Sequence, residues 1–173
     1  MNFIVIFSPN LYADFMDNND ILRSLRFTFN YGDSDMMKLF RSGGMEVTRT
    51  QVCEWLKRED DPDFKSIYDQ PLASFLNGFI NEKRGKKEGE QPVAEKKLNN
   101  NIVLRKLKIA LNLKDDEMIE ILKLANFHLS KSELSAFFRN PSQSQYQLCK
   151  DQIMRNFLNG LKLKYRPNTE ADV

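Results

Sequence analysis

Two polar stretches, 82 residues apart, carry side chains that could recognise nucleic acid. Arginine and glutamine can form paired hydrogen bonds with guanine and adenine, and lysine and arginine can contact phosphates. Glu54 and Glu133 lie in the same stretches and would repel a polyanion. The alternative is that both stretches are solvated helix faces. The candidate nucleic-acid-binding residues are Arg49, Thr50, Gln51, Lys57, Lys131, Ser132 and Arg139.

Residues suited to catalysis or metal binding are few. His128 is the single histidine, and Cys53 and Cys149 lack the spacing of a zinc site. Loop motifs for phosphate or dinucleotide binding are absent from the sequence, as is a nucleophile elbow. The sequence therefore predicts no catalytic residue, no metal and no cofactor. An enzyme stays a third hypothesis, because carboxylates from distant segments could meet in the fold.

An internal duplication is the strongest pattern in the chain. Residues 18–84 align with residues 100–166 without a gap, and 15 of the 67 positions are identical. The shared motifs include Asn-Asn at 18 and 100 and Phe-Leu-Asn-Gly at 75 and 157. The predicted organisation is an extension (1–17), a first repeat (18–84), a flexible linker (85–99), a second repeat (100–166) and a tail (167–173). The basic linker could contact phosphates or serve only as a solvated tether.

Apolar residues recur at helical spacing and predict four helices in each repeat. We therefore expect an all-α fold in which two four-helix units pack around a shared or abutting core. Helix one is predicted at 20–30, with its N-cap at Asn18 or Asn19 and, in the second copy, at Asn100 or Asn101. Capping boxes are predicted to begin the third helices at Thr48–Gln51 and Ser130–Glu133. Aspartates at 33, 115, 69 and 151 are expected to cap the second and fourth helices.

The second and third helices of each repeat form a helix-turn-helix-like pair. In DNA-binding proteins with this motif, the helix after the turn enters the major groove. The turn after Gly43 is longer than usual, which weakens the parallel. Gly78 and Gly160 occupy the middle of the fourth helices, where glycine is unfavourable, so they predict a close approach between helices.

Charge is divided unequally between the repeats. Residues 18–84 contain ten Lys and Arg against eleven Asp and Glu, for a net charge of −1. Residues 100–166 contain twelve against six, for a net charge of +6. The sequence contains no apolar stretch of membrane-spanning length, and a cytoplasmic protein with reduced cysteines is expected. The functional hypothesis is a non-catalytic binding or regulatory protein with nucleic acid as ligand; the alternative is a protein-interaction adaptor with a helical groove.

Several long segments resemble one family of small bacterial proteins. They include NNDILRSLR at 18–26, LNNNIVLRKLK at 98–108, NEKRGKKEG at 81–89, LSAFFR at 134–139 and FLNGLKLKYR at 157–166. These segments resemble the YehS-like family, which carries a duplicated domain of unknown function. The resemblance implies a cytosolic bacterial protein and supplies no catalytic or binding residues. The resemblance begins near Met16, so residues 1–15 depart from the family pattern.

Overall fold

The computed structural model describes residues 15–167, which contain eight α-helices and no strand. Most of the predicted extension and tail, residues 1–14 and 168–173, lies outside the described residues. Equivalent helices of the two repeats begin 82 residues apart, which confirms the all-α class and the duplicated helical unit. The helices are α1 (Asn18–Thr28), α2 (Asp33–Ser42), α3 (Arg49–Leu56), α4 (Asp69–Arg84), α5 (Asn100–Ala110), α6 (Asp115–Leu124), α7 (Lys131–Ala136) and α8 (Asp151–Tyr165).

One hydrophobic core runs through both repeats. The amphipathic stripes of the equivalent helices bury equivalent side chains, because each helix has apolar residues at helical spacing on one face. Leu25 and its counterpart Leu107 have no exposed surface, and neither do Phe75 and Phe157. The burial of these matched pairs confirms that both copies use the same apolar positions.

The asparagine pairs that begin α1 and α5 do not cap these helices, so that prediction was wrong. The helices begin earlier than expected, and the N-caps are Asp17 and Asn99. The Asp17 carboxylate accepts from the Asp20 amide at 2.7 Å, and Asn99 Oδ1 accepts from the Ile102 amide at 2.9 Å. The asparagine pairs therefore lie in the first helical turn.

Asn19 ties α1 to the end of α3 and to the loop between α3 and α4. It is 1% exposed, and its Nδ2 donates to the carbonyl oxygens of Trp55 and Lys65, both at 2.8 Å. Its Oδ1 accepts from the amide of Ile67 at 3.2 Å. Asn101 repeats all three bonds in the second copy, with Phe137, Gln147 and Cys149 as partners. We call Asn19 and Asn101 the clasp asparagines.

The four aspartates expected to be N-caps occupy the first helical position instead, so this prediction was also wrong. The N-caps are Gly32, Lys114, Tyr68 and Lys150, none of which makes a side-chain capping bond. Asp69 uses one carboxylate oxygen to accept from Asn18 Nδ2 at 2.8 Å and the other to accept from the Leu98 amide at 2.9 Å.

Asp151 makes the equivalent pair of bonds, and together the two aspartates join the repeats. Asp151 accepts from Asn100 Nδ2 at 2.7 Å and from the Met16 amide at 3.2 Å. The backbone that enters the first helix of each repeat is therefore bound by the fourth helix of the other. The helices pack in the same way, because α4 contacts α5 and α1 contacts α8. The two repeats therefore exchange equivalent contacts, because the fourth helix of each packs on the first helix of the other.

Glycines allow α2 and α4 to touch backbone to backbone. A Cβ added at Gly78 would overlap the carbonyl group of Leu39, and one added at Gly43 would overlap the carbonyl group of Ser74. In the second repeat, a Cβ at Gly160 would overlap the carbonyl group of Ile121 on α6. The predicted close approach at Gly78 and Gly160 is confirmed, and it fixes the position of the fourth helices.

Candidate functional site

The first copy of the predicted helix-turn-helix-like surface uses its polar side chains within the protein. Six residues, 43–48, separate α2 from α3. Arg49 Nε lies 3.0 Å from a carboxylate oxygen of Asp33, at the start of α2. Gln51 Oε1 accepts from the Thr48 amide at 2.8 Å and completes the predicted capping box, while Thr50 is exposed.

Lys57 and the polar side chains of the second copy also bond to other groups of the protein. Lys57 Nζ lies 3.0 Å from Asp63 and 3.4 Å from Asp61. Lys131 Nζ lies 3.1 Å from Asp116 on α6, and Ser132 Oγ lies 3.1 Å from Ser130 Oγ. Arg139 donates to the side-chain oxygen of Gln145. The predicted capping box at Ser130–Glu133 is present.

These partners reduce the positive charge that a phosphate would meet. The first turns of α2 and α6 contain Asp33 and Asp35, and Asp115, Asp116 and Glu117. In both repeats, an acid from the first turn of the second helix is paired with the cation that begins the third. Four of the seven candidate residues are exposed and the other three are half-buried. Three of the four cations among them, Arg49, Lys57 and Lys131, are paired with carboxylates. The role of the candidate residues in nucleic-acid binding stays a prediction.

A cavity of about 520 Å³ lies elsewhere, between α4, α5 and the segment that connects them. We call it the linker pocket. The second half of α4 lines one wall with Asn77, Ile80, Asn81 and Arg84, which share one helix face because they are spaced i, i+3, i+4 and i+7. Asn81 Nδ2 is fixed by the carbonyl oxygen of Ser42 at 3.0 Å. The volume lies in the range typical of small-molecule sites.

Lys106 forms the floor of the linker pocket and is only 8% exposed. Its ammonium group lies 2.9 Å from Glu95 Oε1 and donates to Asn77 Oδ1 at 2.6 Å. On α5, Ile102, Arg105 and Ile109 share its face. Burying an ammonium ion is unfavourable unless it is paired, and even a paired ion stabilises a fold little. The contacts with Glu95 and Asn77 satisfy this buried ammonium group.

Two acceptor oxygens of pocket-lining residues are buried and have no hydrogen-bond partner. They are Gln91 Oε1 and Glu95 Oε2, both in the connecting segment. The opposite ends of these side chains are bonded, because Gln91 Nε2 donates to the carbonyl oxygen of Lys87 at 2.7 Å and Glu95 Oε1 pairs with Lys106. Buried acceptors are normally satisfied in folded proteins, so this pair could accept from a ligand.

Sequence reasoning missed the linker pocket. Lys106 aligns with Ser24 of the first repeat, so it did not stand out as a shared position. A lysine within a helix ordinarily indicates a solvated face, and the packing of α4 on α5 cannot be read from the duplication. The available signal was the matched i, i+3, i+4, i+7 spacing of mixed apolar and basic residues on both helices.

The two cysteines and the single histidine do not line the linker pocket. Cys149 is buried and Cys53 half-buried, and neither forms a disulfide. Burial raises the pKa of the Cys149 thiol to about 12, and the charge of Asp151 adds to the increase. His128 is exposed. Residues 15–167 contain no cluster of three or more potential metal ligands and no helix long and apolar enough to span a membrane.

Comparisons with known proteins agree with the resemblance seen in the sequence. The model of a family described as "Protein of unknown function (DUF1456)" matches residues 18–85 and 100–166, once for each repeat. The chain is 42% identical over 147 residues to the uncharacterized protein YehS of Escherichia coli (strain K12), over 84% of this chain and 94% of that protein. No solved structure matches significantly.

Proposed function

Because this chain belongs to the DUF1456 family, whose function is unknown, we propose a function from the linker pocket itself: non-catalytic binding of a small organic molecule. The observation that carries the proposal is the buried Lys106, held by Glu95 and Asn77 in a cavity of ligand size. Apolar walls with a few fixed polar groups are typical of small-molecule sites.

Binding suits the pocket better than catalysis. Glu95 is the single carboxylate that lines it, and one oxygen of that carboxylate is held by Lys106. General acid–base catalysis commonly needs a second titratable group whose environment differs from the first. The other charged groups of the lining are arginines and lysines, which bind and orient ligands.

The test is a fragment screen observed by amide NMR. Fragments that occupy the linker pocket should shift the backbone amide resonances of the α4 and α5 residues that line it. The variant Ile109→Trp should abolish these shifts, because Ile109 lines the pocket and is 48% exposed, so a larger ring can enter the cavity without disturbing the core.

Phe27→Trp is the matched control, since Phe27 is the equivalent residue of the first repeat and is 39% exposed. It should leave fragment binding unchanged. A library in which no fragment shifts the pocket amides would refute the proposed function.

Nucleic-acid binding through α3 and α7 is a second proposal, supported by the net charge of +6 on residues 100–166. It requires phosphates to compete with Asp33 and Asp116 for Arg49 and Lys131. Fluorescence anisotropy with duplex DNA and RNA at two salt concentrations tests it. Absence of binding at low salt would refute the nucleic-acid proposal.

The protein-adaptor alternative predicts that affinity capture recovers a stoichiometric protein partner. Repeated captures without such a partner would count against this alternative.

A further inference from the structure

We infer that the ligand of the linker pocket is an organic anion with an apolar body and at least one hydrogen-bond donor. This inference rests on the proposed function and specifies its ligand. Three features of the lining carry it: the excess of positive charge, the unpartnered acceptors and the apolar walls.

Positive charge dominates the pocket lining. Four cationic side chains line the cavity, Arg84, Lys87, Arg105 and Lys106, against the single carboxylate of Glu95. Glu95 offsets Lys106, with which it is paired. Arg105 donates one N–H to the Phe138 carbonyl oxygen at 2.9 Å and keeps its other donors. Three cations therefore remain for an anionic group of the ligand.

Arg84 and Lys87 have no hydrogen-bond or ion-pair partner for their side chains among residues 15–167. Arg84 ends α4 and Lys87 follows it in the connecting segment. An arginine can bind a carboxylate or phosphate with two parallel hydrogen bonds, and a neighbouring lysine adds a point charge. The pair forms an anion-binding edge on the cavity.

The internal duplication supplies a control for this argument. Arg166 is the equivalent of Arg84, and it donates to the Phe27 carbonyl oxygen at 2.6 Å. Its guanidinium carbon lies 4.1 Å from the centre of the Phe27 ring. In the linker pocket, Ile109 occupies the place of Phe27 and does not hold Arg84 in this way. The α1–α8 interface engages its arginine internally, whereas the α4–α5 interface leaves the arginine for a ligand.

The buried acceptors indicate that the ligand also donates. Gln91 Oε1 and Glu95 Oε2 are both unpartnered, and neither can bind an anionic oxygen. A hydroxyl, amide or amino group on the ligand would satisfy them. The apolar side chains of Ile80, Ile102 and Ile109 would contact the body of the ligand. A bare inorganic anion would leave both the acceptors and the apolar walls unused.

The closing experiment is the same NMR screen, with a library of equal numbers of acids, bases and neutral fragments of similar size. Hits are accepted when they shift pocket amides in the wild-type protein and lose this effect in Ile109→Trp. We expect acids to be over-represented, and acids with a hydroxyl or amide donor to bind more tightly than matched acids without one. Predominance of bases or neutral fragments would overturn the ligand class and leave the proposed function intact. No hits of any charge would overturn both.

Charge variants test the anion-binding edge directly. Arg84→Gln and Lys87→Gln should each raise the Kd of the most tightly bound acidic fragment roughly tenfold, because each removes a charge-assisted contact. The uncharged amide analogue of the same acid should be unaffected. Arg166→Gln is the matched control and should leave the Kd unchanged. Equal effects of Arg84→Gln and Arg166→Gln would indicate non-specific attraction and overturn the inference. Thermal melting confirms that all three variants are folded.

Discussion

Replacing the clasp asparagine Asn19 with alanine separates two roles that its position allows. As an N-cap it would contribute about 1 kcal/mol. In the structure it satisfies two carbonyl oxygens and one amide, those of Trp55, Lys65 and Ile67, and all three bonds are lost in Asn19→Ala. Because each net hydrogen bond contributes about 1 kcal/mol and the site is 1% exposed, we expect a loss of about 3 kcal/mol.

This loss is large against the whole stability of a domain, which is typically about 5–15 kcal/mol. Urea unfolding measures it, with the fluorescence of Trp55, the single tryptophan, and circular dichroism as independent probes. Asp17→Ala removes the true N-cap and should cost only about 1 kcal/mol. Asn101→Ala should reproduce the larger loss in the second repeat. If Asn19→Ala costs no more than Asp17→Ala, the clasp interpretation is wrong.

Three other predictions test the packing, the pocket and the buried thiol. Gly78→Ala should destabilise the protein by about 2 kcal/mol, because the added Cβ would press on the α2 backbone. Gly32→Ser is the control and should not destabilise the protein, since Gly32 is an N-cap with room for a side chain. Equal melting temperatures for the two variants would contradict this prediction. Lys106→Met should lower the free energy of unfolding by about 1–2 kcal/mol, because Glu95 loses its partner. Adding Glu95→Gln to this variant should restore part of the lost stability in thermal melts. No recovery of stability in the double variant would contradict the pairing. The raised pKa of Cys149 keeps its thiol protonated in the folded state, so the stability of the fold should decrease as pH rises above about 9, where the unfolded thiol ionises. In a Cys53→Ser variant, Cys149 is the single thiol left. Reaction of the folded variant with a thiol reagent at pH 8 would contradict the burial of Cys149.

The helical fold could be predicted because its signals are local. The capping boxes at Thr48–Gln51 and Ser130–Glu133 form as their spacing requires, since a side chain three residues into a helix can reach back to the N-cap amide. Gly78 and Gly160 could be interpreted because glycine within a helix needs a compensating cause. The duplication doubled each of these signals.

The long-range contacts could not be predicted in this way. The clasp asparagines were among the residues predicted to be N-caps, because asparagine at a helix start ordinarily is one. Their true partners, such as Ile67 and Cys149, lie 48 residues away along the chain. Asp69 and Asp151 bind the backbone that leads into the first helix of the opposite repeat, which no periodicity within a repeat indicates. The linker pocket depends on the same exchange, because α4 and α5 belong to different repeats.

The exchange of contacts between repeats also bears on how such a protein could have arisen. A polypeptide with one repeat would leave uncovered the face of its fourth helix that packs on the other repeat. The first helix of a second molecule would be needed to cover that face in the same way. The folding of such a polypeptide would then depend on concentration. Joining two copies through residues 85–99 replaces that bimolecular step with an intramolecular one at a high effective concentration. The joined copies can then diverge independently. Lys106, whose equivalent in the first repeat is Ser24, is one result of this divergence. It lines a cavity that exists at one of the two interfaces, whereas two identical subunits would have had to form it twice.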